Sequence, residues 1–144
     1  MMDNIFGVAG TALNAQLTRM NATASNLANA GTVATTPEEA FRARRPLFKT
    51  IVESMLNKAD TRNGPDIKGG VKIDQLVEDP APVRRQFDPY NPLADKDGFV
   101  YQSNVNEVSE MVEMMAAARS YQNNVETVNT AKHLMMRTLD MMRS

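Results

Sequence analysis

The last forty-one residues, Asn104–Ser144, read NVNEVSEMVEMMAAARSYQNNVETVNTAKHLMMRTLDMMRS. Taken at alternating three- and four-residue spacing, they give the row Met111, Met114, Ala118, Tyr121, Val125, Val128, Lys132, Met135, Leu139 and Met142, apolar or aromatic at nine of ten positions. Neither Pro nor Gly interrupts it. Such a row predicts one long helix that packs along its length against another. At about 1.5 Å per residue the helix is roughly 55 Å long. A second apolar set, Val105, Val108, Val112 and Met115, lies beside its start. Another, Ala131, Leu134 and Met141, lies near its end, and Ser120–Ala131 holds a single charge, Glu126. One partner helix covers one row, so this helix asks for more than one neighbour. Asn104 with Glu107 three residues on reads as a capping pair at its start.

A second helix is expected over Asn4–Asn29, where Phe6, Gly10, Leu13, Leu17, Met20, Ala24 and Leu27 keep the same alternation. Gly31 is placed to end it with a left-handed cap. From Asn4 to Thr36 the only charge is Arg19. A solvated helix face normally carries charge, whereas small neutral polar groups are compatible with enclosure when their hydrogen bonds are met. The helix is therefore expected to be enclosed on more than one side in its working state. At roughly 40 Å it is too short to cover the C-terminal helix alone. The simplest resolution is that the termini pair with each other and then with copies or homologues.

Between the helices the pattern changes. Phe41–Leu56 is ambiguous: Leu47, Phe48, Ile51, Val52, Met55 and Leu56 fit a short helix, while Leu47–Val52 fits a strand equally well. Lys58–Gly70 reads as loop, with Asn63-Gly64-Pro65 and Gly69-Gly70 as turn signals. Val71, Ile73 and a shifted Leu76-Val77 read as a strand. Asp79–Asp97 carries four of the seven prolines and reads as extended chain. Phe99-Val100-Tyr101 is a last short strand.

Composition excludes several function classes. A net charge of −1 offers nothing to attract nucleic acid or an anionic membrane. The absence of Cys removes disulfides, thiolate catalysis and Cys-ligated metal. Methionine is abundant at eleven residues, seven of them in the C-terminal helix, and suits core filling or adaptable contacts. No apolar run is long enough to span a membrane. Asp3 and the lack of a basic leader argue against a cleaved secretory signal.

No catalytic or cofactor site emerges. Asp95-Lys96-Asp97-Gly98 opens like a calcium loop, but the fifth and twelfth positions are Phe99 and Asn106, so a turn before a strand is the better reading. His133 has no Cys or second His to work with. Arg42, Arg44 and Arg45 with Arg84 and Arg85 form two basic clusters, read as solvated charge or contacts to acidic surfaces. A carboxylate cluster of Asp95, Asp97 and Glu107 is the only enzymatic reading, resting on acidic spacing alone.

Gly10-Thr11-Ala12-Leu13-Asn14-Ala15-Gln16, followed by Ala24-Ser25-Asn26-Leu27-Ala28-Asn29-Ala30, resembles the N-terminal signature of bacterial flagellar rod and hook proteins. Asn104-Val105, Glu110-Met111-Val112, Met115, Arg119-Ser120-Tyr121-Gln122 and Asn124 resemble their C-terminal signature. Gly69-Gly70-Val71-Lys72, Asp88-Pro89-Tyr90-Asn91-Pro92-Leu93-Ala94-Asp95 and Asp97-Gly98-Phe99-Val100 resemble the proximal rod branch. The likeness spans nearly the whole chain. It implies a structural subunit that the flagellar type III export apparatus carries without a cleaved signal. It implies termini that fold on assembly into a periplasmic drive shaft transmitting torque to the hook. The neighbours it implies are the proximal rod subunits FlgB and FlgF, the distal rod protein FlgG, the base adapter FliE and copies of itself.

The expected fold is mainly α: an elongated antiparallel coiled coil of N- and C-terminal helices with a small β-containing insertion. Residues 1–32 and 104–144 form the rod-core helices, and residues 33–103 the insertion. The expected assembly interface is Phe6, Leu13, Leu17, Met20 and Leu27 with Met111, Met114, Tyr121, Val125, Val128, Met135, Leu139 and Met142. Catalytic, cofactor and metal residues are not expected. The competing reading is a soluble helical adapter or export chaperone that holds one partner helix.

Overall fold

A computed structural model describes residues 2–51 and 69–143. Two helices, α1 (Met2–Ala28) and α2 (Glu107–Arg143), flank five strands. These are β1 (Val33–Ala34), β2 (Arg44–Ile51), β3 (Gly70–Glu78), β4 (Arg84–Phe87) and β5 (Phe99–Gln102). β2 and β3 form one antiparallel sheet; β1, β5 and β4 form another, with β5 at its centre. The expectation of a mainly α coiled coil with a small insertion is thereby overturned. Two antiparallel sheets share the fold with the helices, and the β2–β3 hairpin packs along α1.

The ambiguity over residues 41–56 resolves to strand as far as Ile51; Val52, Met55, Leu56 and most of the expected loop 58–70 lie outside the described residues. The β2–β3 register slips between Leu47, opposite Gln75, and Phe48, opposite Ile73. Asp74 is the extra residue of a bulge. That bulge explains why Val71 and Ile73 fall out of step with Leu76 and Val77. β1 and β4 were not legible: β1 is two residues long, and β4 sits inside the proline-bearing stretch.

Both expected helix caps differ in the structure. Gly31 is not among the glycines with positive φ, and α1 ends instead through turns that place the Thr32 N–H on the Asn29 carbonyl. At the start of α2 the cap is Asn106, whose side-chain oxygen accepts the Ser109 N–H at 3.1 Å. Asn104 has a different task. Its Oδ1 accepts the Ala43 N–H at 2.8 Å, and its Nδ2 donates to the carbonyls of Asp79 and Ala81.

The core is small in side-chain size. Ala30, Ala43 and Val105 form its centre, with Phe41 against them. The bulkiest fully buried side chain is a carboxylate, Glu110. Among the described residues nineteen large apolar or aromatic side chains are exposed instead, an extent of apolar surface that marks interaction sites. Two glycines are required by geometry. Gly70 has φ +145°, and a Cβ there would stand 2.7 Å from Thr11 Oγ1. Gly98 has φ +82° in the turn before β5, and a Cβ there would press on Phe87 and Pro89.

Candidate assembly interface

α1 and α2 run antiparallel, fixed by two polar contacts and a cleft. Asn26 meets Glu110, Arg19 pairs with Glu113, and Ile5, Val8, Ala9 and Ala12 line one cleft with Asn124 and Thr127. These contacts place Ile5, Val8, Ala12, Arg19 and Asn26 of α1 toward α2, with the buried Ala15 and Ala22 at the intervening turns. Their counterparts on α2 are Glu110, Glu113, Ala117, Asn124 and Thr127. Both keep the three–four alternation, but both are one or two positions away from the apolar rows read from the sequence. One residue turns a helical side chain by about 100°. The facing rows are built from small and polar side chains: Ala15, Ala22, Asn26, Glu110 and Ala117 are all buried. Small residues let two helices approach closely, and the polar ones add bonds that define register.

The lower end of the pair is locked by a buried polar group of contacts. Asn26 Nδ2 donates to Glu110 Oε2 and to the Arg44 carbonyl, each at 3.0 Å, while Asn26 Oδ1 accepts the Arg44 N–H at 2.8 Å. Glu110 Oε1 accepts no well-angled hydrogen bond; Arg45 Nη2 neutralises it across 3.1 Å. Ser103 Oγ donates to the Ala30 carbonyl at 2.6 Å. Arg84 Nη2 donates to the Val105 carbonyl at 2.8 Å. Farther along, Thr11 Oγ1 accepts the Val71 N–H and holds β3 to α1. Asn26, Ala30, Val71, Val105 and Glu110 lie inside the stretches Ser25–Ala30, Gly69–Lys72 and Asn104–Val112, while Thr11, Arg44, Arg45, Arg84 and Ser103 lie outside them. Their polar role was not assigned from sequence. The available signal was a run of Asn and Ser at the helix junctions with few charges to hold them in water.

The thirteen expected interface residues are not drawn together inside one chain. Leu17, Met111, Val125, Leu139 and Met142 are exposed. Phe6, Leu13, Met20, Leu27, Met114, Tyr121, Val128 and Met135 are half-buried, and none is fully enclosed. Leu17 on α1, 46% exposed, and Met111, Val125, Leu139 and Met142 on α2 turn outward, while the other eight are only partly covered within one chain. Toward its C-terminus α2 also outruns its partner. Extrapolating the register places Met2 opposite residue ~132, leaving about eleven residues, roughly 16 Å of helix, beyond α1.

The Asp95 turn is braced by its own backbone. Asp95 Oδ1 accepts the N–H groups of Asp97 and Phe99, each at 2.9 Å. The Phe99 N–H holds the Asp95 carboxyl below its ordinary value against the opposing effect of burial; the Asp97 N–H, Arg85 and Tyr101 add to the lowering. Arg85 lies 3.6 Å above the Phe99 ring, which meets Phe87 edge-on at 5.1 Å. The turn leaves Tyr90 almost wholly in solvent. Among the described residues no group of three His, Asp or Glu is arranged to hold a metal, and no helix is long and apolar enough to cross a membrane.

Known proteins share both ends of this architecture. Residues 6–33 match the family model described as flagella basal body rod protein. Residues 96–141 match that of the flagellar basal body rod FlgEFG protein C-terminal region. The chain is 44% identical over 136 residues to the flagellar basal-body rod protein FlgC of Yersinia enterocolitica, covering 94% of each chain. It is 43% identical to that of Salmonella typhimurium and 44% to that of Escherichia coli O157:H7, at the same coverage.

Proposed function

This chain belongs to the FlgC family of flagellar basal-body rod proteins, and from that premise we propose that the outward stripes on α1 and α2 are its assembly faces in the rod. It is a structural subunit of the flagellar basal body. The observation that supports the proposal is the division of labour between helix faces. The fully buried positions of both helices are small or polar, while the large apolar residues stay exposed or only half-covered within one chain. Phe6, Leu13, Leu17, Met20 and Leu27 on α1 act with Met111, Met114, Tyr121, Val125, Val128, Met135, Leu139 and Met142 on α2. Neighbouring rod subunits cover these stripes, whether copies of this chain, FlgB, FlgF, FlgG or the adapter FliE. The product is a shaft in the periplasm that carries torque to the hook, reached through the flagellar export apparatus without a cleaved signal. Residues 1–32 and 104–144 act as the rod core and residues 33–103 as its outer insertion. A single chain that buries so little apolar surface gains most of its order from neighbours.

The test is charge on the stripe. Leu17→Asp or Val125→Asp abolishes motility in a strain lacking the wild-type chain, with expression and export unchanged. A motile Leu17→Asp/Val125→Asp double variant contradicts the proposal. Amide exchange over residues 4–29 provides a second readout: exchange is expected to be slower in the assembled rod than in the dilute chain, and equal exchange contradicts ordering by assembly.

A further inference from the structure

Among the described residues Glu110 is the bulkiest side chain that the fold encloses completely, and it is a carboxylate. Its partners are few. Oε2 accepts a hydrogen bond from Asn26 Nδ2 at 3.0 Å. Oε1 accepts none and faces Arg45 Nη2 at 3.1 Å. The arginine side chain is 45% exposed and is shared with Asp79, whose Oδ2 stands 3.8 Å from Arg45 Nε.

A carboxylate in this setting adds little to stability. Its removal from water is offset by one hydrogen bond and one half-exposed arginine, and an apolar side chain of like volume packs as well. Glu113, one turn on, keeps its charge at the edge of the helix pair, with its side chain 39% exposed beside Arg19. Packing of α1 on α2 therefore does not require the buried charge of Glu110.

What the carboxylate decides is which helix can lie on this face of α2. α1 brings Asn26, whose amide donates to Oε2 and is itself held on the Arg44 carbonyl. The exposed apolar side chains that a neighbouring copy presents, Leu17, Leu139 and Met142 among them, have no hydrogen to donate. A helix that set them against Glu110 in place of α1 removes the Asn26 bond and leaves the carboxylate buried against hydrocarbon, with Arg45 alone beside it. That contact is penalised, although by apolar area alone it is better than the alanine-rich face of α1.

We propose that Glu110 is a specificity determinant of assembly: it reserves the inner face of α2 for α1 and turns neighbouring copies to the other faces. This rests on the reading of the chain as a subunit that meets its neighbours through exposed apolar residues, and adds what keeps those residues off the helix pair. Discrimination of this kind works through the rejected partner, so its loss shows in association rather than in folding.

Glu110→Met in the full chain removes the charge and keeps a long unbranched side chain. Glu126→Met, at an exposed acid on the same helix, is the control for a lost charge and an added thioether. Circular dichroism reads thermal stability, and sedimentation velocity at rising concentration reads association. Glu110→Met is expected to unfold at or above the wild-type midpoint and to associate at about tenfold lower concentration than wild type, into a broad spread of masses. Glu126→Met is expected to associate as wild type does. The proposal is overturned if Glu110→Met unfolds earlier than wild type, since the carboxylate is then a strut of the fold. It is overturned equally if Glu110→Met associates like wild type, or if Glu126→Met associates as readily as Glu110→Met. Failure here leaves the rod-subunit reading standing, because that reading is decided by motility of the Leu17→Asp and Val125→Asp strains.

Discussion

Asn26 Nδ2 stands 3.0 Å from Glu110 Oε2, with both side chains fully buried. Asn26 also takes the Arg44 N–H and donates to the Arg44 carbonyl, so its amide serves as the strand partner that this residue of β2 lacks on that side. One side chain therefore ties α1, α2 and the β2–β3 hairpin together. A buried carboxylate is tolerable here because Asn26 and Arg45 both serve it.

Removing Asn26 leaves Glu110 and the Arg44 backbone buried and under-bonded. Asn26→Ala is expected to lower stability by about 2–4 kcal/mol. Urea unfolding of the full chain, followed by circular dichroism, measures it. Asn26→Asp fares no better, since it sets a second carboxylate against Glu110. An Asn26→Ala midpoint equal to wild type would contradict the lock.

The inner and outer faces of α1 predict opposite responses to size. Ala22 is buried on the side of α1 that meets α2 and the β2–β3 sheet, so Ala22→Leu overpacks that side and is expected to cost about 1–3 kcal/mol. Leu17 lies on the outward stripe, so Leu17→Ala in the free chain is expected to change stability by less than about 1 kcal/mol. Thermal unfolding of the two variants side by side decides it. A larger loss for Leu17→Ala than for Ala22→Leu would place the wrong face inside.

Gly70 is held to glycine by its positive φ and by the nearness of Thr11 Oγ1. Gly70→Ala is expected to cost about 1–3 kcal/mol through backbone strain and to loosen the start of β3 from α1. Combining it with Thr11→Ala removes the close approach but not the strained φ. Amide exchange at Val71 reads the result: faster in Gly70→Ala, and no slower in the double variant, which lacks the Thr11 acceptor. Unchanged protection at Val71 in both variants would refute the constraint.

The Asp95 turn is expected to loosen in acid. Its carboxyl titrates below the ordinary value of 3.8, so it favours the folded turn while ionised. Its contribution is fully present above that value and is lost as pH falls through the lowered one. The Phe99 amide exchanges faster than its neighbours in that window, and Asp95→Asn removes the pH dependence. A turn equally protected across the window would exclude the mechanism.

The sequence by itself determined the two helices, the charge-poor character of α1 and of the middle of α2, the strand in residues 71–77, the turn before β5 and, through signatures at both ends, the family. Each rests on local periodicity or on fixed spacing within a few turns of chain. The tertiary structure alone decided which face of each helix looks inward, and it placed the two sheets beside the helices where a coiled coil was expected. Apolar periodicity marks the oiliest face of a helix. It does not mark the face that a single chain closes upon, because close approach favours alanine and a few well-matched polar groups. The reach of Asn26 to Arg44 and Glu110, across 18 and 84 positions, is a fact of packing that no local pattern contains. β4 was hidden for the same reason: four exposed residues beside prolines become a strand only because β5 offers them an edge.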